Sequence, residues 1–246
     1  MSDTDTSTLW RISAFERLRD SMDSPQFAAL GRQTMLSSTM QAELRVMERR
    51  ASSSDAIEMI ATCLRLREAA LIYLQLDELV WPVTLFPADK LYHSPRSLEA
   101  GAGRALASVR AISIEPAAVR PPGHWMHERV AEAENYHPLD PALWGLALQG
   151  PRTHILPELG GTAAYRVLRD PAREGLPTAG ALGATVQRLR RETASLRAMA
   201  QWPGMSIDRV SRLVNALYLT SNLMVSRTHP AARPEPEHRF ALARAR

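Results

Sequence analysis

Cysteine occurs once in this chain, at Cys63, and lysine once, at Lys90. One cysteine excludes an intramolecular disulfide and every cysteine-rich zinc motif. Cys63 stands between apolar residues in a helical pattern, which points to a small buried side chain rather than a reactive thiol. Long hydrophobic runs are also missing. The longest, VNALYLTSNLMV at 214–225, falls short of the roughly 18 residues of a membrane span and contains two asparagines. The first ten residues, MSDTDTSTLW, lack the basic and then apolar character of a secretory signal. The expectation is a soluble, cytoplasmic protein.

The common catalytic signatures are absent too. There is no G-x-x-x-x-G-K-[ST] phosphate loop and no G-x-S-x-G nucleophile elbow. GAGRAL at 101–106 has the first two glycines of a dinucleotide turn, but Leu106 stands where the third belongs and no strand precedes it. These gaps remove the commonest nucleotide-binding and serine-hydrolase readings. They do not remove an enzyme whose residues converge only on folding.

What is present is a chain of 246 residues, 45% hydrophobic, enough to bury a core. Of its 30 basic residues, 29 are arginine. Together with abundant alanine, that bias points to a GC-rich bacterial genome rather than to selection at each position. Charge is unevenly placed: net −3 over residues 1–100, zero over 101–180 and +7 over 181–246. Any acidic partner is therefore expected at the C-terminal end.

The hydrophobic pattern reads as helix-rich ends around an irregular middle. Ile12, Phe15, Leu18 and Met22 share one helical face. Ser24 and Pro25 suit the start of a second helix running to about Arg50, striped by Leu36, Met40, Leu44 and Met47. After the SSSD turn at 52–55, Asp55 and Glu58 suit the start of a third, striped by Ile57, Ile60, Leu64, Leu71 and Leu74. So short a turn predicts antiparallel packing of the second and third helices. Strand character follows at 80–86, where Pro82 marks an edge strand, then at 108–115 and within 160–171. DPALWGLALQGP at 140–151 reads as a buried helix with Asp140 as N-cap and Gly150 at its end. Leu182, Val186, Leu189, Leu196 and Met199 form another stripe. Ser206 suits the cap of a last helix carrying Ile207, Val210, Val214, Leu217 and Met224. The fold class expected is mainly α: a helical bundle of two long helix hairpins with a small two- to three-stranded β element in the middle, α+β being the variant. Residues 1–7 read as a disordered N-terminus, 8–226 as a single globular helical domain and 227–246 as a mobile basic, proline-containing tail.

Three clusters could carry chemistry. In LVWPVTLFPADKLYHSPRSL at 79–98, the lone Lys90 lies near Tyr92 and His93, and lysine alone among the basic residues readily deprotonates or forms a Schiff base. The competing reading, and the preferred one, is a strand with an exposed turn. In GHWMHERVAEAENYH at 123–137, a helix would place His124, His127 and Glu128 on one face, with His137 beyond, as metal ligands. Neither H-E-x-x-H nor H-x-x-E-H is present, so a solvated face is expected and no metal or cofactor is assigned. The third cluster is Arg188, Arg190, Arg191 and Arg197, with Arg209 and Arg212 on the next helix. Arg188, Arg190, Arg191, Arg209 and Arg212 are the expected partner-binding residues, for a protein partner in preference to nucleic acid, because few aromatics are interleaved. The function expected is a bacterial, cytoplasmic, non-enzymatic interaction or regulatory protein. The alternatives are a nucleic-acid-binding regulator using the basic C-terminal helices, and an enzyme with its site near Lys90 and His93 or a metal at His124, His127 and Glu128.

Overall fold

In the computed structural model, residues 9–22, 35–101 and 104–232 are described. Expected features at 1–7, at Ser24 and Pro25, and at 233–246 lie outside these residues. The chain divides into two compact units, Met1–Arg152 and Thr153–Arg246.

The first unit is built on antiparallel sheet, which overturns the expected bundle of long helix hairpins. Strand β1 (Trp10–Arg11) leads into helix α1 (Ile12–Met22). Helices α2 (Ser38–Arg49) and α3 (Ala56–Leu66) follow. Ser37 caps α2, accepting from the Met40 amide, and Asp55 caps α3, accepting from the Glu58 amide. Contacts from Ser37 to Glu68, Glu43 to Arg65 and Arg50 to Glu58 run in opposite chain directions, so α2 and α3 are antiparallel. Met40 and Met47 are buried between them and their neighbours, whereas Leu36, Leu44 and Leu64 are only half-buried.

Helix α3 does not continue to residue 76. Arg67 turns left-handed (φ 52, ψ 32), and Ala70–Leu76 forms strand β2. Leu71 and Leu74 fit a helical stripe, but Ala70, Ile72, Leu74 and Leu76 fit a period of two equally well. The second pattern wins because it buries all four against the neighbouring strands. Strand β2 pairs with β3 (Leu79–Phe86) on one side and with β5 (Arg110–Pro116) on the other. Strands β4 (Leu91–His93) and β6 (Tyr136–Pro138) complete the order β5-β2-β3-β4-β6, with β1 also on β3. Thus β3 is interior, contrary to the edge strand inferred from Pro82. Proline is accommodated because β1 pairs only with Leu79 and Val80, and β4 only with Thr84 to Phe86. Pro82 falls in the gap between them. Trp10 stacks on Tyr73 and Phe15 packs against the same ring at a tilt, placing α1 over that face of the sheet.

Helix α4 (Arg104–Ala107) precedes β5, and α5 (Leu139–Gln149) follows β6. Helix α5 buries Leu143, Trp144 and Leu146. Its N-cap position is Pro138 rather than Asp140, whose carboxylate instead pairs with Lys90. Gly150 ends the helix in extended rather than left-handed backbone. Glycine is needed there for space, since a Cβ would lie 2.3 Å from the Leu146 carbonyl oxygen.

In the second unit, strand β7 (Ala164–Val167) pairs antiparallel with β8 (Leu223–Ser226) in a sheet of its own, rather than joining the middle strands. The stripe from Leu182 to Met199 is two helices, α6 (Gly180–Arg191) and α7 (Leu196–Ala200). They are separated where Ala194 bridges to Tyr165. Ser206 caps α8 (Ile207–Leu219), accepting from the Arg209 amide, and Met224 lies in β8 beyond that helix. Asn215, buried on α8, accepts from the Leu156 amide and donates to the His154 carbonyl, fixing the entry segment to the helix. Arg227 donates to the Gly160 and Glu158 carbonyls. Among the described residues no helix is long and apolar enough to cross a membrane.

Candidate functional site

The cluster around Lys90 is dispersed by its own strand. Lys90 occupies the turn before β4 with left-handed backbone (φ 54), and its Nζ lies 3.0 Å from Asp140. Along β4, alternation sends Tyr92 and His93 to opposite faces. Tyr92 is buried, and its hydroxyl accepts from the Leu98 amide at 2.8 Å. Burial pushes its phenol up to about 12. His93 is half-buried against Tyr136, and burial followed by the neighbouring His137 lowers its pKa. Tyr92 and His93 therefore face opposite sides of β4, and Lys90 is tied to Asp140 in the turn before it. The three are parts of a strand and its turn.

The second cluster loses its helix. Pro121 and Pro122, followed by Gly123 at positive φ, lead into single 3-10 turns at His127–Arg129 and Ala133–Asn135. Extended Val130 and Glu132 lie between them. The phase that would align His124, His127 and Glu128 is therefore never established. The Tyr136 hydroxyl holds this loop, donating to the Arg120 carbonyl and accepting from the Ala131 amide. His124 accepts from the Met126 amide and stacks on Trp125, His127 and Glu128 are exposed, and His137 sits on β6 opposite Tyr92. Among the described residues no group of three His, Cys, Asp or Glu side chains is placed to hold a metal ion.

The arginines divide. Arg188 lies over the Trp202 ring at 4.2 Å and pairs with Glu192. Arg209 donates to the Gly204 carbonyl, and Arg212 is half-buried on α8. Arg190 and Arg191 instead reach a concavity of about 540 Å³ between α6 and the β7–β8 pair. Its other polar lining is Gln187 on α6 and Arg166 on β7, and its apolar lining includes Leu168 and Met224. Gln187, Arg190 and Arg191 share one helix face by their spacing of three and four. Arg166 and Met224 are cross-strand partners in register.

Electrostatics sort the three cleft arginines further. Arg190 donates to Asp170 at 3.0 Å and to Gln187 at 3.0 Å. Asp170 is buried and also accepts from Gln187 Nε2 at 2.9 Å and from the Ala172 amide at 3.2 Å. Its carboxyl is held below the ordinary value, first by the Gln187 hydrogen bond, with Ala172, Arg190 and Arg173 adding to it against the opposing effect of burial. Arg190 is therefore neutralised in place. Arg166 donates to the Arg190 carbonyl, at 3.4 Å, and among the described residues neither Arg166 nor Arg191 has a carboxylate within ion-pair distance. The cleft thus carries two uncompensated guanidiniums on an ordered frame.

Of the five arginines expected to bind a partner, only Arg190 and Arg191 line this cleft, and Arg209 and Arg212 do not. Sequence reasoning missed Arg166, Gln187, Leu168 and Met224. The readable clue was the alternation in YRVLRD at 165–170, which buries Tyr165 and Val167 and turns Arg166 and Leu168 outward. The cleft's lining groups are guanidinium, amide and apolar. Guanidinium stays protonated throughout the physiological range, so this set attracts and orients anions rather than moving protons. Comparison of the chain with protein-family models, with curated proteins and with solved structures finds no match.

Proposed function

We propose that this chain is a non-enzymatic interaction protein that captures an acidic segment of a protein partner in the cleft between α6 and the β7–β8 pair. The observation that carries this reading is the pair of guanidiniums, Arg166 and Arg191, facing one concavity with no carboxylate among the described residues within ion-pair distance of them. Arginine presents donors in a planar fork that matches a carboxylate with two parallel hydrogen bonds. Asp170 and Gln187 hold Arg190 beside them, so the frame is ordered before a ligand arrives. The net charge of +7 over residues 181–246 favours approach of an acidic surface.

A salt titration tests this. Binding of a labelled polyglutamate peptide to the full chain, followed by fluorescence anisotropy, is expected to weaken steeply as salt rises. The Arg166→Ala/Arg191→Ala variant should bind between about twofold and thirtyfold more weakly, the range for two exposed ion pairs. Duplex DNA serves as the comparison ligand. DNA bound more tightly than the peptide, and weakened by the same substitutions, would replace the protein partner with nucleic acid. Peptide binding indifferent to both salt and the substitutions would refute the site.

A further inference from the structure

The cleft is not uniformly basic. Arg166 and Leu168 are two residues apart on one side of the β7 segment, a separation of about 7 Å in extended chain. Met224 stands directly across from Arg166, where cross-strand Cβ atoms are about 5 Å apart. Leu168 is 56% exposed and Met224 39%, although the opposite side of the same strand, Tyr165 and Val167, is buried. Single exposed apolar residues are common on protein surfaces. Two of them beside two guanidiniums that pair with no carboxylate among the described residues form a mixed surface.

Resting on the cleft reading above, we propose that the partner segment is extended and presents acidic and apolar side chains in turn along one face, an acid-x-apolar-x pattern, seating its carboxylates on Arg166 and Arg191 and its apolar groups on Leu168 and Met224. The spacing supports this. Side chains at i and i+2 of an extended peptide have the same separation as Arg166 and Leu168, so one acid-x-apolar unit engages both at once. A continuous acidic run would satisfy the arginines but leave Leu168 and Met224 in water. It would also bring excess negative charge towards Asp170, which already neutralises Arg190. A volume of about 540 Å³ admits a few side chains of a strand rather than a folded domain.

The experiment uses the full chain and three labelled peptides: repeats of Glu-Ser-Leu-Ser, repeats of Glu-Ser-Ser-Ser, and the Glu-Ser-Leu-Ser composition with its glutamates and leucines segregated into two blocks. The Glu-Ser-Leu-Ser peptide, which alternates glutamate and leucine along one face, is expected to bind about tenfold more tightly than its Glu-Ser-Ser-Ser counterpart, the effect of partly burying one or two leucines. Leu168→Ser and Met224→Ser, each at an exposed position, should each reduce that preference. Equal affinity for the leucine and serine peptides would overturn the inference, as would a block peptide that binds as well as the alternating one. So would a preference that survives both substitutions. If the glutamate–serine peptide still binds with salt dependence and is weakened by Arg166→Ala, the cleft reading stands while the alternating partner falls. If no peptide responds to the arginine substitutions, both fall.

Discussion

Arg152 is a buried cation of the first unit, and replacing it by methionine should be severely destabilising. Its side chain is 3% exposed and contacts Asp55 and, at 3.2 Å, Glu58, whose side chain is 9% exposed. Asp55 Oδ1 also accepts from the Glu58 amide at the start of α3, so the cluster ties this helix N-terminus to the segment after α5. Arg152→Met keeps much of the side-chain volume but leaves two carboxylates in a poorly hydrated site. Arg50, 3.9 Å from Glu58 and mostly exposed, compensates little. Removing one partner of a buried ion pair costs about 3–5 kcal/mol, chiefly through the stranded charge. Against a whole-domain stability of roughly 5–15 kcal/mol, that is a large fraction. The assay is urea denaturation followed by far-UV circular dichroism, with the slope compared to confirm that the unfolding unit is unchanged. Adding Glu58→Gln to Arg152→Met should restore part of the loss, because the buried carboxylate is then neutral. A loss under about 1 kcal/mol, the level of an exposed pair, would refute the argument. So would strict additivity in the double variant.

Two further outcomes follow from buried groups. Cys63 is buried and its thiol is pushed up to about 12, chiefly by burial; Ellman's reagent should leave the native protein unmodified and label one thiol per chain in denaturant, and rapid labelling of the native protein would contradict this packing. Asp170 has a folded-state pKa below its unfolded value. The unfolded chain therefore binds more protons in the window between the two values, and the group's stabilisation is complete above the ordinary aspartate value and lost as pH falls through the folded one. Asp170→Asn should thus lower the urea midpoint at neutral pH and converge with the wild type in acid, whereas a constant offset at every pH would show that the charge is irrelevant.

What was legible in the sequence was mostly local. Asp55 read as part of a helix start and Ser206 as a helix cap, and both cap their helices, because a capping side chain bonds amides two or three residues away and needs nothing from the rest of the fold. The helix ending at Gly150 was readable for the same reason, although its glycine is required by the approach of the Leu146 carbonyl and not by a left-handed turn. The misreadings were nonlocal. Residues 67–76 contain good helix formers and a plausible helical stripe. Whether ALIYLQL continues α3 or becomes a strand depends on Leu79–Phe86 and Arg110–Pro116 being available to pair with it. The loop at 123–137 was assigned helical spacing by residue types alone, and its prolines and positive-φ glycine prevail.

The same division holds for the candidate site. By itself the sequence determined that positive charge collects at the C-terminal end, that it is carried by arginine, and that a single cysteine excludes an intramolecular disulfide and cysteine-rich zinc motifs. Only the tertiary structure decided which arginines are available. Arg188 is occupied by Glu192 and Trp202, Arg190 by Asp170 and Arg209 by a backbone carbonyl, while Arg166, from a stretch of zero net charge, joins Arg191 at the cleft. The physical reason is that a formal charge is a property of one residue, whereas its compensation depends on which carboxylates, rings and carbonyls the folded chain brings within a few ångströms.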